Sequence, residues 1–250
     1  MKKVGKIAPE QKNRNFPLKN IALFIGFLLV INLGLAQTGQ PPAFGLSSGD
    51  VLVFELFIYK QADGTTEFLK LNYTKEKSVE FSKIAAANLG KKITIVLNGK
   101  TVSDTEVSKP GMGQSIDVKM TSPEEAFEIA KAFMNTPAKP ATALVQAAGA
   151  PVLSLMPADV HKIVIMMFRD HTELEVTYAK EKQAEFAKVT AEGLPKKFEI
   201  VLNGKMVAER TITKPMTGHS LRVEMPSPEE AFAMAKALIN PVPKPETKAP

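Results

Sequence analysis

Six residues, Ile95-Val96-Leu97-Asn98-Gly99-Lys100, recur unchanged as Ile200-Val201-Leu202-Asn203-Gly204-Lys205 in a chain of 250 residues. The same spacing of 105 positions (203 − 98) holds without a gap over residues 73–135 and 178–240. A period of this length exceeds that of solenoid repeats and matches the size of a small domain. The sequence therefore predicts two tandem copies of one domain.

Each copy begins with a pattern of strand, turn, strand and helix. In the first copy, apolar runs at 51–59 and about 66–74 flank Asp63-Gly64, a pair typical of tight hairpin turns. A helix is predicted over 76–89, because its apolar residues, Leu89 among them, fall on one stripe. Local periodicity thus predicts a hairpin followed by a helix.

The remainder of each copy predicts three strands and a closing helix. Asn98-Gly99 between apolar runs predicts a second hairpin, and alternating apolar residues over 116–120 predict a further strand. Ser122 then supplies an N-cap, with Pro123 at the first helical position and Glu125 completing a capping box. Each copy is therefore predicted to be ββαβββα, an α+β two-layer sandwich in which two helices cover one face of an antiparallel sheet.

Composition divides the rest of the chain into a leader, connecting segments and a tail. The predicted organisation is a signal peptide or N-terminal anchor at 1–36, a flexible lead-in at 37–50, domain 1 at 51–135, an Ala/Pro-rich linker at 136–159, domain 2 at 160–240, and a disordered Pro/Lys tail at 241–250.

The leader predicts export. Six basic residues precede an apolar run at 21–31, and Gly34 and Ala36 are small residues at the positions that a signal peptidase reads. A membrane span needs roughly 20 apolar residues, so the short run favours cleavage over a retained anchor at 21–36. Either outcome places the rest of the chain in the periplasm or outside the cell.

Charge and cysteine content exclude several functions. The net charge is +6, but without residues 1–36 the chain keeps 26 basic and 25 acidic residues, which gives no basis for nucleic-acid binding. The chain has no cysteine, which excludes disulfides, thiolate catalysis and Cys-ligated zinc.

Residue types that could carry chemistry all have a structural interpretation. Glu124-Glu125 and Glu229-Glu230 suit the first turn of a helix better than an acid–base pair. None of the three histidines has a counterpart in the other copy, and their neighbours lack metal-ligand spacing: His161, His171 and His219. No catalytic, cofactor-binding or metal-binding residue is predicted.

Two glycine and methionine patterns have competing interpretations. Gly111-x-Gly113 is too weak for a phosphate loop and favours a turn. Methionines crowd the second copy and could line an adaptable apolar binding surface or fill the core: Met156, Met166, Met167, Met206, Met216, Met225 and Met234.

The repeated block resembles the head subdomain of the first periplasmic domain of SecD/SecDF protein-export membrane proteins. The resemblance is carried by Phe81, by Gly90-Lys91-Lys92 leading into the strand and hairpin at 93–100, and by Gly113 before Ser122-Pro123-Glu124-Glu125-Ala126. Asn98 stands where that family has Asp, and lysines replace its arginines. The resemblance covers the head module without the transmembrane motor, and it implies contact with emerging polypeptide.

The leading hypothesis is therefore an exported, non-enzymatic binding protein that contacts polypeptide in connection with protein export. Binding is expected either by strand addition to a sheet edge or on the helix-free face of a sheet. The alternative is a structural or assembly module of the cell envelope that binds one folded partner.

Overall fold

This computed structural model describes residues 41–61, 64–109, 113–134, 138 and 150–239. These residues contain twelve strands and four α-helices. The first half contains β1 (Ala43–Leu46), β2 (Val51–Gln61), β3 (Gly64–Tyr73), α1 (Lys75–Ala87), β4 (Lys92–Leu97), β5 (Lys100–Glu106), β6 (Ser115–Lys119) and α2 (Pro123–Met134). The second half contains β7 (Val152–Leu155), a 3-10 turn (Pro157–Asp159), β8 (Val160–Met167), β9 (Thr172–Tyr178), α3 (Lys180–Ala191), β10 (Lys196–Leu202), β11 (Lys205–Ile212), β12 (Ser220–Met225) and α4 (Pro228–Ile239). The predicted leader at 1–36 and tail at 241–250 lie outside the described residues.

One six-stranded antiparallel sheet, the central sheet, runs through both halves in the order β12-β9-β8-β2-β3-β6. Two three-stranded sheets, β1-β4-β5 and β11-β10-β7, complete the halves, and in each of them one outer strand pairs in parallel. The predicted α+β class with helix-covered sheets is confirmed. From Pro42 onward the described residues form one compact unit.

Two strands lie in segments that were predicted to be irregular. β1 falls inside the predicted lead-in at 37–50, and β7 falls inside the predicted linker at 136–159. The two strands are related by 109 positions (152 − 43) and not by 105, because the β2–β3 hairpin is longer than the β8–β9 hairpin. The extra residues in the β2–β3 hairpin hide the correspondence between β1 and β7 in the sequence. These short segments become strands because β1 pairs with β4 and β7 pairs with β10, both distant in sequence.

Local turn chemistry agrees with the sequence at the hairpins and differs at the first helix. Asn98 and Gly99 have φ values of 48° and 80°, the left-handed values that a two-residue hairpin requires. The predicted Asn-Gly hairpin is therefore confirmed. α1 ends at Ala87, so Leu89 lies beyond it and is 53% exposed, and its predicted place on the buried stripe is wrong. Gly90, at φ 73°, turns the chain toward β4.

The two halves meet at the central pair of strands, β2 and β8. Val51 pairs with Tyr73, and Val160 pairs with Tyr178, so the two strands are equivalent. Leu56 pairs with its own equivalent, Ile165, and both side chains are fully buried. The pair therefore lies at the centre of an approximate twofold relation between the halves.

The closing helices α2 and α4 contact each other across the same centre. The rings of Phe127 and Phe232 stack with centroids 4.3 Å apart and planes 5° from parallel. Two reciprocal ion pairs flank the rings, Lys131 with Glu229 and Lys236 with Glu124, each at 2.7 Å. The contact is self-complementary, as in a symmetric dimer interface formed within one chain.

A second reciprocal contact joins each hairpin to the turn that precedes the central strand of the other half. Lys60 Nζ donates to the carbonyl of Pro157 at 3.2 Å. Its equivalent, Arg169, donates through Nη2 to the carbonyls of Ser48, Gly49 and Val51 at 2.8, 2.9 and 3.2 Å. The guanidinium thus satisfies three carbonyls of the other half.

Replacing Arg169 by alanine is expected to lower the free energy of unfolding by about 1 kcal/mol, because exposed charge-assisted hydrogen bonds contribute modestly. Arg169→Lys should lose less, because an ammonium group still donates, as Lys60 does in the other half. Chemical denaturation of both variants measures the difference. Equal losses would contradict this expectation and would show that an ammonium group cannot replace the guanidinium of Arg169.

Candidate functional site

The candidate site is the open face, defined as the surface of the central sheet opposite α2 and α4. Side chains alternate along β2, so that Leu56 and Ile58 are buried on the helix side while Phe57 and Tyr59 are half-buried on the other. The rings of Phe133 in α2 and Phe54 in β2 have centroids 5.2 Å apart. Because Phe54 lies on the same side of the strand as Leu56, α2 packs on that side. In the described part of the chain, α2 therefore lies on the side of the sheet opposite Phe57 and Tyr59.

Three aromatic side chains form a cluster on the open face, called here the aromatic cluster. Phe57 and Phe68 lie on neighbouring strands with ring centroids 4.5 Å apart and planes 10° from parallel. Tyr59 lies 6.2 Å from Phe57 and 5.8 Å from Phe68. The rings stack on one another and leave a half-buried apolar surface at the outer side of the sheet.

Two lysines flank the aromatic cluster. Lys162 Nζ lies 5.7 Å from the centroid of Phe57 and 5.8 Å from that of Tyr59, within cation–π range. On the other side, exposed Lys119 is the direct cross-strand neighbour of Phe68. Among the residues that the structure describes, neither lysine is in an ion pair. The cluster therefore lies between two cations that carry no carboxylate partner there.

The acidic groups of the open face are largely held by other cations. Arg222 binds Glu175 at 2.7 Å and Glu173 at 3.4 Å, and the hydrogen bond that it donates to Glu175 raises the pKa of the guanidinium. Glu55 lies 3.9 Å from Lys70 and accepts a hydrogen bond from the Asn72 amide. The half of the face formed by β8, β9 and β12 carries three carboxylates and two cations, whereas the half that carries the aromatic cluster has two of each.

The open face differs in chemical character between the halves, whereas the helix-covered face is apolar and buried in both. On the helix side, Val118 and Met120 become Val223 and Met225, and all four are buried. On the open face, the equivalent residues change in type or reverse in charge: Phe57 to Met166, Tyr59 to Phe168, Phe68 to Glu173, Lys70 to Glu175, Asp117 to Arg222 and Lys119 to Glu224. Among the described residues, the aromatic cluster is therefore formed by the first half and not by the second.

Two of the grooves that the described residues form lie beside the central sheet. An apolar groove of about 390 Å³ separates the β4–β5 hairpin from α2 and is lined by residues that include Val102, Ile129 and Phe133. In the second half, an ion pair between Lys205 and Glu230 at 3.3 Å bridges the equivalent hairpin and helix. The other groove, of about 300 Å³, lies between β11 and β12 and is lined by opposite charges.

The paired glutamates do not converge on a reaction centre. Glu125 and Glu230 sit at helix starts, where their backbone N–H groups donate to the hydroxyls of Ser122 and Ser227 at 3.1 and 3.2 Å. Glu124 and Glu229 form the ion pairs between α2 and α4, and hydrogen bonds from Lys236 and Lys131 lower the pKa of these two carboxyls. Sequence reasoning identified the helix starts and missed the pairs between the halves, because partners over a hundred residues apart leave no local signal.

The histidines are scattered. His161 and His219 are exposed. The His171 ring stacks on that of Phe168 with centroids 4.3 Å apart, and its Nδ1 is hydrogen-bonded to Asp170 Oδ1 at 2.7 Å. Within the described ranges, no group of three His, Cys, Asp or Glu side chains is placed to hold a metal ion.

The two equivalent tyrosines are structural groups. The Tyr73 and Tyr178 hydroxyls donate to the carbonyls of Gly113 and Gly218, each at 3.1 Å, which fastens the turn before the last strand of each half. Burial raises the pKa of Tyr73 to about 12 and also raises that of Tyr178, so both hydroxyls remain protonated at neutral pH. Gly113 thus forms the predicted turn, and Gly111 lies outside the described residues.

The methionines mostly fill the core. Met167, Met225 and Met234 are buried in the hydrophobic cluster, and Met166 is buried on the open face. Met156 is 43% exposed at the end of β7. Met206 and Met216 are half-buried. Burial therefore favours core filling over an adaptable binding surface for most of the set, and the candidate apolar surface of the open face is the half-buried aromatic cluster.

No protein-family model and no curated protein matches the chain. Among solved structures, the chain is similar to SecDF, described as a membrane component that enhances protein export, with 20% identity and a TM-score of 0.31 over 76% of this chain and 63% of that one. SecDF in its super-membrane-facing form is similar with 16% identity and a TM-score of 0.32, over 89% of this chain and 33% of that one. The chain spans less than two thirds of the length of either, and TM-scores of this size indicate nothing about binding. In the part of the chain that is described, no helix is long and apolar enough to cross a membrane.

Proposed function

We propose that this protein is an exported, non-enzymatic binding protein whose open face holds polypeptide in connection with protein export. The observation that carries the proposal is the half-buried aromatic cluster on the helix-free side of the central sheet. Stacked aromatic rings offer a large apolar contact area at low entropic cost, which suits apolar side chains of an unfolded chain.

The face suits polypeptide better than the edges of the central sheet do. The edge strands β6 and β12 are only 5 and 6 residues long, and short edge strands pair poorly with an added strand. At the β12 edge, Arg210 Nη1 approaches the carbonyl of Arg222 at 3.5 Å. Strand addition to the central sheet is therefore a weaker alternative than docking on the open face.

Replacing both Phe57 and Phe68 by serine is expected to weaken polypeptide capture about tenfold or more. Each ring is already half-buried, so a bound segment can gain roughly half of the 1.5–3 kcal/mol that full burial of an aromatic side chain provides. The measurement is cross-linking of the exported protein to newly exported chains. A matched control replaces Val79 and Leu89 by serine, since these apolar residues are 51% and 53% exposed near α1.

Capture should survive the control substitutions. An absence of adducts above background with the unmodified protein would contradict the proposal. Recovery of one folded partner in stoichiometric amount, with no unfolded chains, would instead support the alternative of a cell-envelope assembly module.

A further inference from the structure

We propose that the open face selects polypeptide segments in which an apolar side chain is flanked by carboxylates, and that Lys119 and Lys162 are the selecting residues. The inference rests on the proposed function, because it assigns a chemistry to the polypeptide held there. The two lysines would give the open face a preference for negatively charged segments, which an apolar surface alone would not have.

The geometry sets the spacing of the selected groups. Lys119, Phe68, Phe57 and Lys162 lie on four successive strands, β6, β3, β2 and β8. Neighbouring strands are about 4.8 Å apart, so the two lysines are separated by roughly 14 Å across the sheet. An extended chain advances about 3.3 Å per residue, and every second side chain points to the same side. A segment crossing the strands would place one apolar side chain on the cluster and carboxylates two residues before and after it near the lysines.

The charges around the cluster favour an acidic segment. Besides the two lysines, the groups on this part of the face are Glu55, Lys70 and Asp117. Lys70 lies between the two carboxylates, 3.9 Å from Glu55 and directly across the ladder from Asp117. These groups add up to three cations and two carboxylates, a net charge of +1, and Lys119 and Lys162 are the two cations that flank the aromatic cluster. An ion pair formed beside this apolar surface is screened less than one in open solvent.

The second half of the face does not offer the same site. Glu173 and Glu175 occupy the positions equivalent to Phe68 and Lys70, and Glu224 occupies the position equivalent to Lys119. An acidic segment would meet like charges there, which costs binding energy. The expected stoichiometry is therefore one segment per chain.

The test uses the full exported chain and three short fluorescent peptides, measured by anisotropy. The first peptide has phenylalanine flanked by glutamates at the spacing above, the second has lysines in place of the glutamates, and the third has serine in place of phenylalanine. We expect the first to bind about fivefold to tenfold more tightly than the second, because two partly exposed ion pairs are gained and two like-charge contacts avoided. The difference should shrink at high salt.

The variant Lys119→Glu/Lys162→Glu should reverse the preference, so that the lysine-flanked peptide binds more tightly. Gain of binding for that peptide cannot come from unfolding. The control, Lys83→Glu/Lys188→Glu, changes the net charge equally at exposed and equivalent positions of α1 and α3, and it should keep the original preference.

Each outcome separates the inference from the proposed function. Equal binding of the two phenylalanine peptides would overturn charge selection and leave polypeptide binding standing. No binding of either phenylalanine peptide would overturn both. Sedimentation should show a monomer, and a dimer that the double charge reversal dissociates would assign the open face to a second copy and overturn the proposal.

Discussion

Replacing Leu56 by alanine is expected to lower the free energy of unfolding by about 3 kcal/mol, because a fully buried leucine loses its transfer free energy and leaves a cavity. The site lies at the centre of the joint between the halves, where Leu56 pairs directly with Ile165. The matched control is Leu52→Ala in the same strand, where the leucine is 50% exposed and the change should be within about 0.5 kcal/mol.

The Leu56 variant should destabilise both halves together. A continuous sheet of backbone hydrogen bonds crosses the joint from β2 to β8, so opening one half exposes the strand edge and core of the other. Hydrogen exchange followed by mass spectrometry should give the same loss of protection in β3 and in β9. Full protection of β9 and β10 in the variant, with β3 and β4 exposed, would show that the halves are independent domains and contradict this expectation.

Phe127→Ala is expected to cost about 3 kcal/mol of stability, because the side chain is 4% exposed and packs between α2, α4 and the sheet. Denaturant titration monitored by circular dichroism measures the loss. The reciprocal variant Phe232→Ala should cost less, since Phe232 is only half-buried.

A double-mutant cycle isolates the contact between the two rings. Their near-parallel stacking predicts a coupling energy of about 0.5–1.5 kcal/mol between Phe127→Ala and Phe232→Ala. Additive losses would mean that each ring stabilises only its own half. A control cycle between Phe127→Ala and Phe186→Ala, in α3, should show additivity.

The two ion pairs between α2 and α4 also make the stability of the helix contact depend on pH. The folded pKa of Glu124 and that of Glu229 are lowered by hydrogen bonds from lysines of the other helix. A lowered pKa stabilises the fold above the ordinary carboxyl range, and the contribution is lost as pH falls toward the folded value. Because these side chains are half-exposed, the contribution is small.

Local sequence patterns were sufficient for much of the architecture. The Asn-Gly hairpins, the serine caps of α2 and α4 and the alternating strands each depend on neighbouring residues, so their signals are contained in short windows. The same reasoning failed at Leu89, because the apolar stripe in the sequence continues past Ala87, where the helix ends before the chain turns at Gly90.

The amino-acid sequence alone was enough to establish an internal repeat of α+β units, since periodicity and turn chemistry act over a few residues. Contacts in three dimensions were needed to join the halves through β2 and β8, to turn the segments around Phe44 and Leu153 into strands, and to bring Phe57, Phe68, Lys119 and Lys162 together. The reason is that pairing between distant strands is chosen by the packing of the whole sheet, and a side chain's neighbours across a sheet leave no trace in its own stretch of sequence.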